Sequence, residues 1–139
     1  MIALGCDHAG YPLKLEIAKY LTSRGLEYSD YGTNSAESVD YPIYGKAVGR
    51  AVASGNCEKG IAICGTGIGI SIAANKIPGV RAANCTTPYM AEMSRKHNNA
   101  NVLALGARIT EPAEAIDIVA SFLETPFEGG RHAERVAML

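Results

Sequence analysis

GIAICGTGIGISIAANK, residues 60–76, joins a short apolar run to a glycine-rich turn and then to a stretch of small and β-branched residues. The run GIAIC (60–64) is apolar at consecutive positions, so both of its faces are covered, as in the interior strands of parallel sheets. A cysteine closes it, and glycines follow at 65, 67 and 69. The fold depends on whether the rest of the chain supplies similar strands with helices between them.

It does. Towards the N-terminus, IALG (2–5) is a β-type run, and Pro12 then stands where a first helical turn tolerates it, with Leu13, Ile17, Tyr20 and Leu21 at helical spacing. Gly25 suits the position after that helix. LEYSDYG (26–32) reads as a more polar strand, followed by a polar loop to Asp40-Tyr41-Pro42 and a helical pattern over 43–54. Towards the C-terminus, VRAANC (80–85) and NVLALG (101–106) read as strands on either side of a helix over Pro88–Lys96. Thr110 can cap a helix from about Glu111 to Leu123, and Arg131–Met138 reads as a short terminal helix. Strand–helix alternation repeated about five times predicts an α/β protein: βαβ units and a parallel sheet covered on both sides. In such sheets ligands bind beyond the carboxyl ends of the strands. That rule picks out Cys6–Gly10, Cys64–Gly69 and the segments after Cys85 and Gly106.

The chain's 139 residues suit one domain spanning 1–139, and an apolar share of 47% suits a packed core. A formal net charge of −1 gives no reason to expect nucleic acid or an anionic membrane as partner. No apolar stretch approaches the ~20 residues of a membrane span, and Asp7 interrupts the N-terminal run where a signal peptide would continue. The expectation is a soluble, cytoplasmic protein. Its four cysteines (Cys6, Cys57, Cys64 and Cys85) lack CxxC or zinc-finger spacing and are expected as free thiols.

Three chemistries that use a strand, a glycine turn and a helix fail at named residues. The dinucleotide fingerprint needs a third glycine at position 70, where Ile70 stands, and an acidic residue about 20 positions on, where the sequence reads AANCTT. A Walker A loop needs Gly-Lys-Ser/Thr, which is absent. A cysteine phosphatase loop needs an arginine at position 70. Two readings stay open on local sequence alone. One is a tight turn with a buried, inert cysteine. The other is a thiol facing the unpaired amides of a helix start, which favour thiolate and can hold an enediolate oxygen.

With its surroundings, the turn resembles ribose-5-phosphate isomerases of the B type, in the sugar-phosphate isomerase family that includes the galactose-6-phosphate isomerase subunits. The resemblance rests on GCDHAG (5–10), VDYP (39–42), ICGTGIGISIAANK (63–76), SRKHNNANVLALGAR (94–108) and EGGRHAERV (128–136), and it covers nearly the whole chain. It implies a three-layer Rossmann-like sandwich with a five-stranded parallel sheet, a homodimer or dimer of dimers with the site at the interface, and no metal or organic cofactor. The implied reaction interconverts D-ribose 5-phosphate and D-ribulose 5-phosphate. One family branch uses the cysteine before GTG as base, another a carboxylate after the last glycine; Cys64 and Ile70 place this chain with the first.

The resemblance also assigns roles. Cys64 moves a proton between C2 and C1, Thr66 hydrogen-bonds O1 or O2, and Gly65, Gly67 and Gly69 let the amides around Thr66–Ile70 cradle the enediolate. His97 opens the sugar ring and Asn98 supports the oxygens beside it. Asp7 and Tyr41 contact the sugar near its ring end. His8, Arg131 and Arg135 hold the phosphate, with Arg108 a fourth. Each has a plainer reading: Thr66 bonding its own turn, Asp7 capping the first helix, His97 and Asn98 closing a helix, the arginine pair lying on a solvated face. His132 is expected to point elsewhere and takes no role. A six-carbon or four-carbon sugar phosphate is the alternative substrate, and a non-catalytic sugar-phosphate-binding module the alternative class.

Overall fold

The computed structural model describes residues 1–139. Five strands alternate with six helices: β1 (Ile2–Cys6), α1 (Tyr11–Ser23), β2 (Tyr28–Asp30), α2 (Tyr41–Ala53), β3 (Lys59–Cys64), α3 (Ile68–Asn75), β4 (Ala82–Asn84), α4 (Pro88–Asn98), β5 (Val102–Gly106), α5 (Pro112–Glu124) and α6 (Arg131–Val136). All pairings are parallel and the strand order is β2-β1-β3-β5-β4. GIAIC therefore occupies the centre of the sheet. Cys64 lies opposite Gly106 at the carboxyl end, and Gly60 opposite Val102 at the amino end.

The two faces are built from different residues. Strand side chains alternate between faces, so Ile2, Leu4, Cys6, Ile61, Ile63, Leu103 and Leu105 form one layer under Leu13, Ile17 and Leu21 of α1 and Ala115, Ile118, Val119 and Phe122 of α5. The opposite face carries the smaller Ala3, Ala62, Cys64, Val102 and Ala104 beneath Val48, Ala51 and Val52 of α2 and Ile70 and Ala74 of α3. Small residues let these elements come close. A methyl group on Gly45 of α2 would lie 2.9 Å from Ala73 Cβ and from Ile70 Cγ1. Cys64 belongs to this closely packed face.

The sequence-based boundaries hold for the interior strands and shrink at the edges. β2 spans three residues and β4 three, each paired on one side only. Thr110 does not cap α5. The N-cap residue is Glu111, with no side-chain bond, and Thr110 is buried, its N–H donating to Gly106 O at 3.0 Å. Gly25 follows α1 with φ 69°, as its position suggested.

Lys14 shares the inward face of α1 with Leu13 and Ile17 and is buried. Its ammonium donates to both carboxylate oxygens of Asp30 (2.9 and 2.8 Å), Thr33 O (2.6 Å) and Asn34 Oδ1 (2.8 Å), tying the loop after β2 to α1. Lys14→Met keeps most of the volume but strands these acceptors. Because Asp30 is partly solvated, the expected loss is about 2–3 kcal/mol rather than the larger cost of a fully buried pair. Urea unfolding checks it, and an unchanged midpoint contradicts it.

Candidate active site

The first cluster forms at the carboxyl ends of β1, β3 and β5. Cys64 Sγ is buried and accepts the Gly67 N–H at 3.1 Å. That bond requires a sharp turn, which Gly67 makes with φ 81° as the N-cap of α3. The first helical bond of α3 runs from Ser71 N–H to Gly67 O (3.2 Å), so the N–H groups of Gly69 and Ile70 ahead of it have no helical partner. The Ile68 N–H donates to Thr66 Oγ1 at 3.2 Å. Thr66 thus bonds its own turn, which leaves its hydroxyl proton free to donate.

Other chain segments close in on this turn. The Asp7 N–H donates to Ile63 O (3.1 Å), one residue before Cys64, and Asp7 Oδ1 accepts the Gly10 N–H (3.0 Å) at the start of α1. Asp7 thus braces the turn before α1 and does not cap the helix, whose N-cap Gly10 carries no side-chain capping bond, and its second carboxylate oxygen remains free. His8 is anchored through Nδ1, which accepts the Val39 N–H at 3.1 Å, leaving Nε2 for a ligand. The Tyr41 ring lies over Gly69, and a methyl group there would be 2.6 Å from Cε1. Arg108 donates its N–H to Gly65 O (2.9 Å) and lays its guanidinium along Gly65.

Sequence reasoning did not single out Asn84, at the end of β4. Its Nδ2 donates to Thr66 O at 3.3 Å, its side chain packs against Gly67, and its buried Oδ1 has no partner. The carboxyl-end rule applied to β4 points to it.

His97, Asn98, Arg131 and Arg135 are not in this cluster. α4 ends at Asn98 and leads into the amino end of β5, opposite Gly60, whereas Cys64 ends β3. Four strand residues separate the two levels, roughly 13 Å along the sheet. α6 packs on the end of α4, where His97, Asn98, His132, Arg135, Val136 and Leu139 line a hollow of about 270 Å³. Asn98 and His97 do close a helix, with Asn99 as a left-handed C-cap at φ 46°. His132 does not point elsewhere. It is buried, and its ring stacks on His97 with centroids 4.2 Å apart and planes 13° apart. Burial, together with the charges of His97, Arg131 and Arg135, lowers the His132 pKa from its usual value against the opposing pull of Glu128.

Beside the first cluster, Tyr41, Ile43, Ile68 and Ile72 expose apolar surface on α2 and α3. No helix is long and apolar enough to cross a membrane.

Residues 2–139 match the family described as Ribose/Galactose Isomerase. Ribose-5-phosphate isomerase B of Escherichia coli strain K12 is 53% identical over 135 residues, 97% of this chain and 91% of that protein. D-erythrulose-4-phosphate isomerase of Pectobacterium atrosepticum is 43% identical over 136 residues, 97% of this chain and 90% of that one. The solved structure of ribose-5-phosphate isomerase B from Clostridium thermocellum superposes with a TM-score of 0.98 at 59% identity, covering 99% of this chain and 93% of that one.

Proposed function

The chain belongs to the Ribose/Galactose Isomerase family, and on that footing we propose that it interconverts D-ribose 5-phosphate and D-ribulose 5-phosphate through a cis-enediolate. The observation that carries the reading is Cys64: a thiol at the end of the central strand, bonded by the Gly67 amide at the start of α3, whose next amides, Gly69 and Ile70, have no helical partner. The thiolate takes the C2 proton. The C2–H pair becomes the C1=C2 bond, and the carbonyl pair moves onto O1. The amides of Gly69 and Ile70 and the Thr66 hydroxyl hold that charge, where a single oxyanion donor is worth roughly 3 kcal/mol. Cys64 then returns the proton to C1, the O2–H pair forms the C2=O bond and the O2 proton passes to O1, leaving the neutral ketose and the thiolate restored.

Before this, the furanose ring must open, and the acid assigned to that step is His97. Its distance from Cys64 within one chain implies that the working site uses two chains. His97, Asn98, Arg131 and Arg135 of one copy then face the Cys64 turn of the other. The exposed Tyr41, Ile43, Ile68 and Ile72 support pairing at this face, in a homodimer or a pair of dimers. Arg131 and Arg135, one helical turn apart on α6, join His8 and Arg108 around the phosphate, remote from the reacting carbons, where binding orients the sugar. Asp7 and Tyr41 bind its ring end. Unpaired cysteines support a reducing compartment, the cytoplasm.

Arg135→Ala is expected to raise KM for ribose 5-phosphate roughly tenfold or more by removing a charge-assisted bond, with a smaller change in kcat. Steady-state kinetics check this, and an unchanged KM removes Arg135 from the phosphate site. The similarity to a four-carbon isomerase makes a tetrulose 4-phosphate the second substrate reading. Comparing kcat/KM for ribose 5-phosphate, erythrose 4-phosphate and allose 6-phosphate decides between them. The highest value with ribose 5-phosphate supports the proposal, and a higher value with either of the others replaces its substrate.

A further inference from the structure

The reaction as written gives His132 nothing to do, yet the fold fixes it more firmly than its neighbours. The segment that carries it is tied to the last turn of α4 by Arg95 Nε donating to Thr125 O (3.1 Å) and the Glu128 N–H donating to Lys96 O (3.2 Å). The His132 N–H then donates to Gly129 O at 3.1 Å, and its side chain is buried. His97 is the opposite case. Its side chain is 43% exposed, at a helix end, and its ring makes no hydrogen bond shorter than the 4.0 Å approach to Glu128. What it does have is a flat, buried ring stacked on its face.

We propose that His132 is a positioning residue, a platform that holds the His97 ring at the angle from which it protonates the sugar ring oxygen. The proposal rests on the ring-opening role given to His97 above. Glu128 completes the arrangement, its two carboxylate oxygens 3.8 Å from His132 Nε2 and 4.0 Å from His97 Nε2. These three side chains could also be taken for metal ligands, since their donor atoms lie within 4.8 Å of one another. Arg135 lines the same hollow and Arg131 adjoins His132, and that positive charge suits a phosphorylated sugar and opposes a cation.

A ring that swings freely is correctly aimed only part of the time. Loss of the stack should therefore slow ring opening about five- to tenfold and leave proton transfer at the carbonyl alone. The two steps separate chemically. The C5 oxygen of ribulose 5-phosphate is esterified and cannot close a five-membered ring on C2. The ketose is therefore open-chain, and its C1 proton exchanges without any ring opening.

The experiment measures aldose turnover and ketose C1 exchange in D₂O for His132→Ala, His132→Gln and His132→Phe, with a thermal melt of each. Ala and Gln are expected to lose about five- to tenfold in kcat on ribose 5-phosphate with little change in KM or ketose exchange. Phe, which keeps the stack, should stay within about threefold of the parent. If Ala does not fold, Gln against Phe reads the same difference. An equal fall in both activities shows a merely structural role and overturns the proposal, as does a Phe variant no better than Ala or an Ala variant like the parent. An inert parent protein overturns the isomerase reading itself, and the positioning role with it.

Discussion

Cys64→Ala is expected to lose isomerase turnover by roughly 10³-fold, the range of a removed acid–base group, while still binding ribose 5-phosphate. The side chain lies on the sheet face already made of Ala3, Ala62 and Ala104, so alanine fits the site and costs about 1 kcal/mol or less in stability. The Gly67 N–H loses its acceptor at the start of α3, where bound water or substrate is expected to replace it. Because the variant cannot turn over, calorimetry reads its true affinity for the aldose, expected close to the parent's KM. Cys85 supplies the control. It is a buried thiol whose pKa desolvation pushes up to about 11, and Cys85→Ala should leave turnover unchanged. Turnover of Cys64→Ala within tenfold of the parent contradicts the assignment of the base.

His97→Ala should have a different signature. Aldose turnover falls by about 10²–10³-fold with the loss of the general acid, whereas C1 exchange of the open-chain ketose persists. Cys64→Ala loses both. The pair of variants also tests the two-chain site. Separately inactive Cys64→Ala and His97→Ala chains, unfolded together and refolded at equal amounts, form mixed pairs in which one site carries both lesions and the other neither. Activity should return to about a quarter of the parent's. No recovery from pairs shown to have mixed places Cys64 and His97 of a single chain in one site, against their positions at opposite ends of the sheet.

The fold could be read from the sequence because each interior strand announces itself as an apolar run. GIAIC and NVLALG keep their predicted extents to within one residue, whereas β2 and β4, paired on one side, are shorter than the predicted LEYSDYG and VRAANC. The carboxyl-end rule located the thiol, its glycine turn and the segments around Asp7 and Arg108. It could not locate His97, Arg131 or Arg135, which lie at the amino end; only the resemblance to a family of paired chains reached them. The arginines' spacing of four led away from His132. On α6 both arginines are exposed, with Arg135 also at the edge of the hollow, while His132 beside Arg131 turns in against His97 of α4. Lys14 reads as a charged interruption in an apolar helix face, because its partners Asp30, Thr33 and Asn34 come from a distant loop. Asn84 gives no periodic signal at all, since its role depends on packing against Gly67.

The most direct test of the central claim is proton NMR of the unmodified protein incubated with D-ribose 5-phosphate in D₂O. The account predicts formation of D-ribulose 5-phosphate with deuterium at C1, because a single base carries the proton between C2 and C1 and exchanges it with solvent on the way. Folded protein that forms no ketose and incorporates no deuterium contradicts the account.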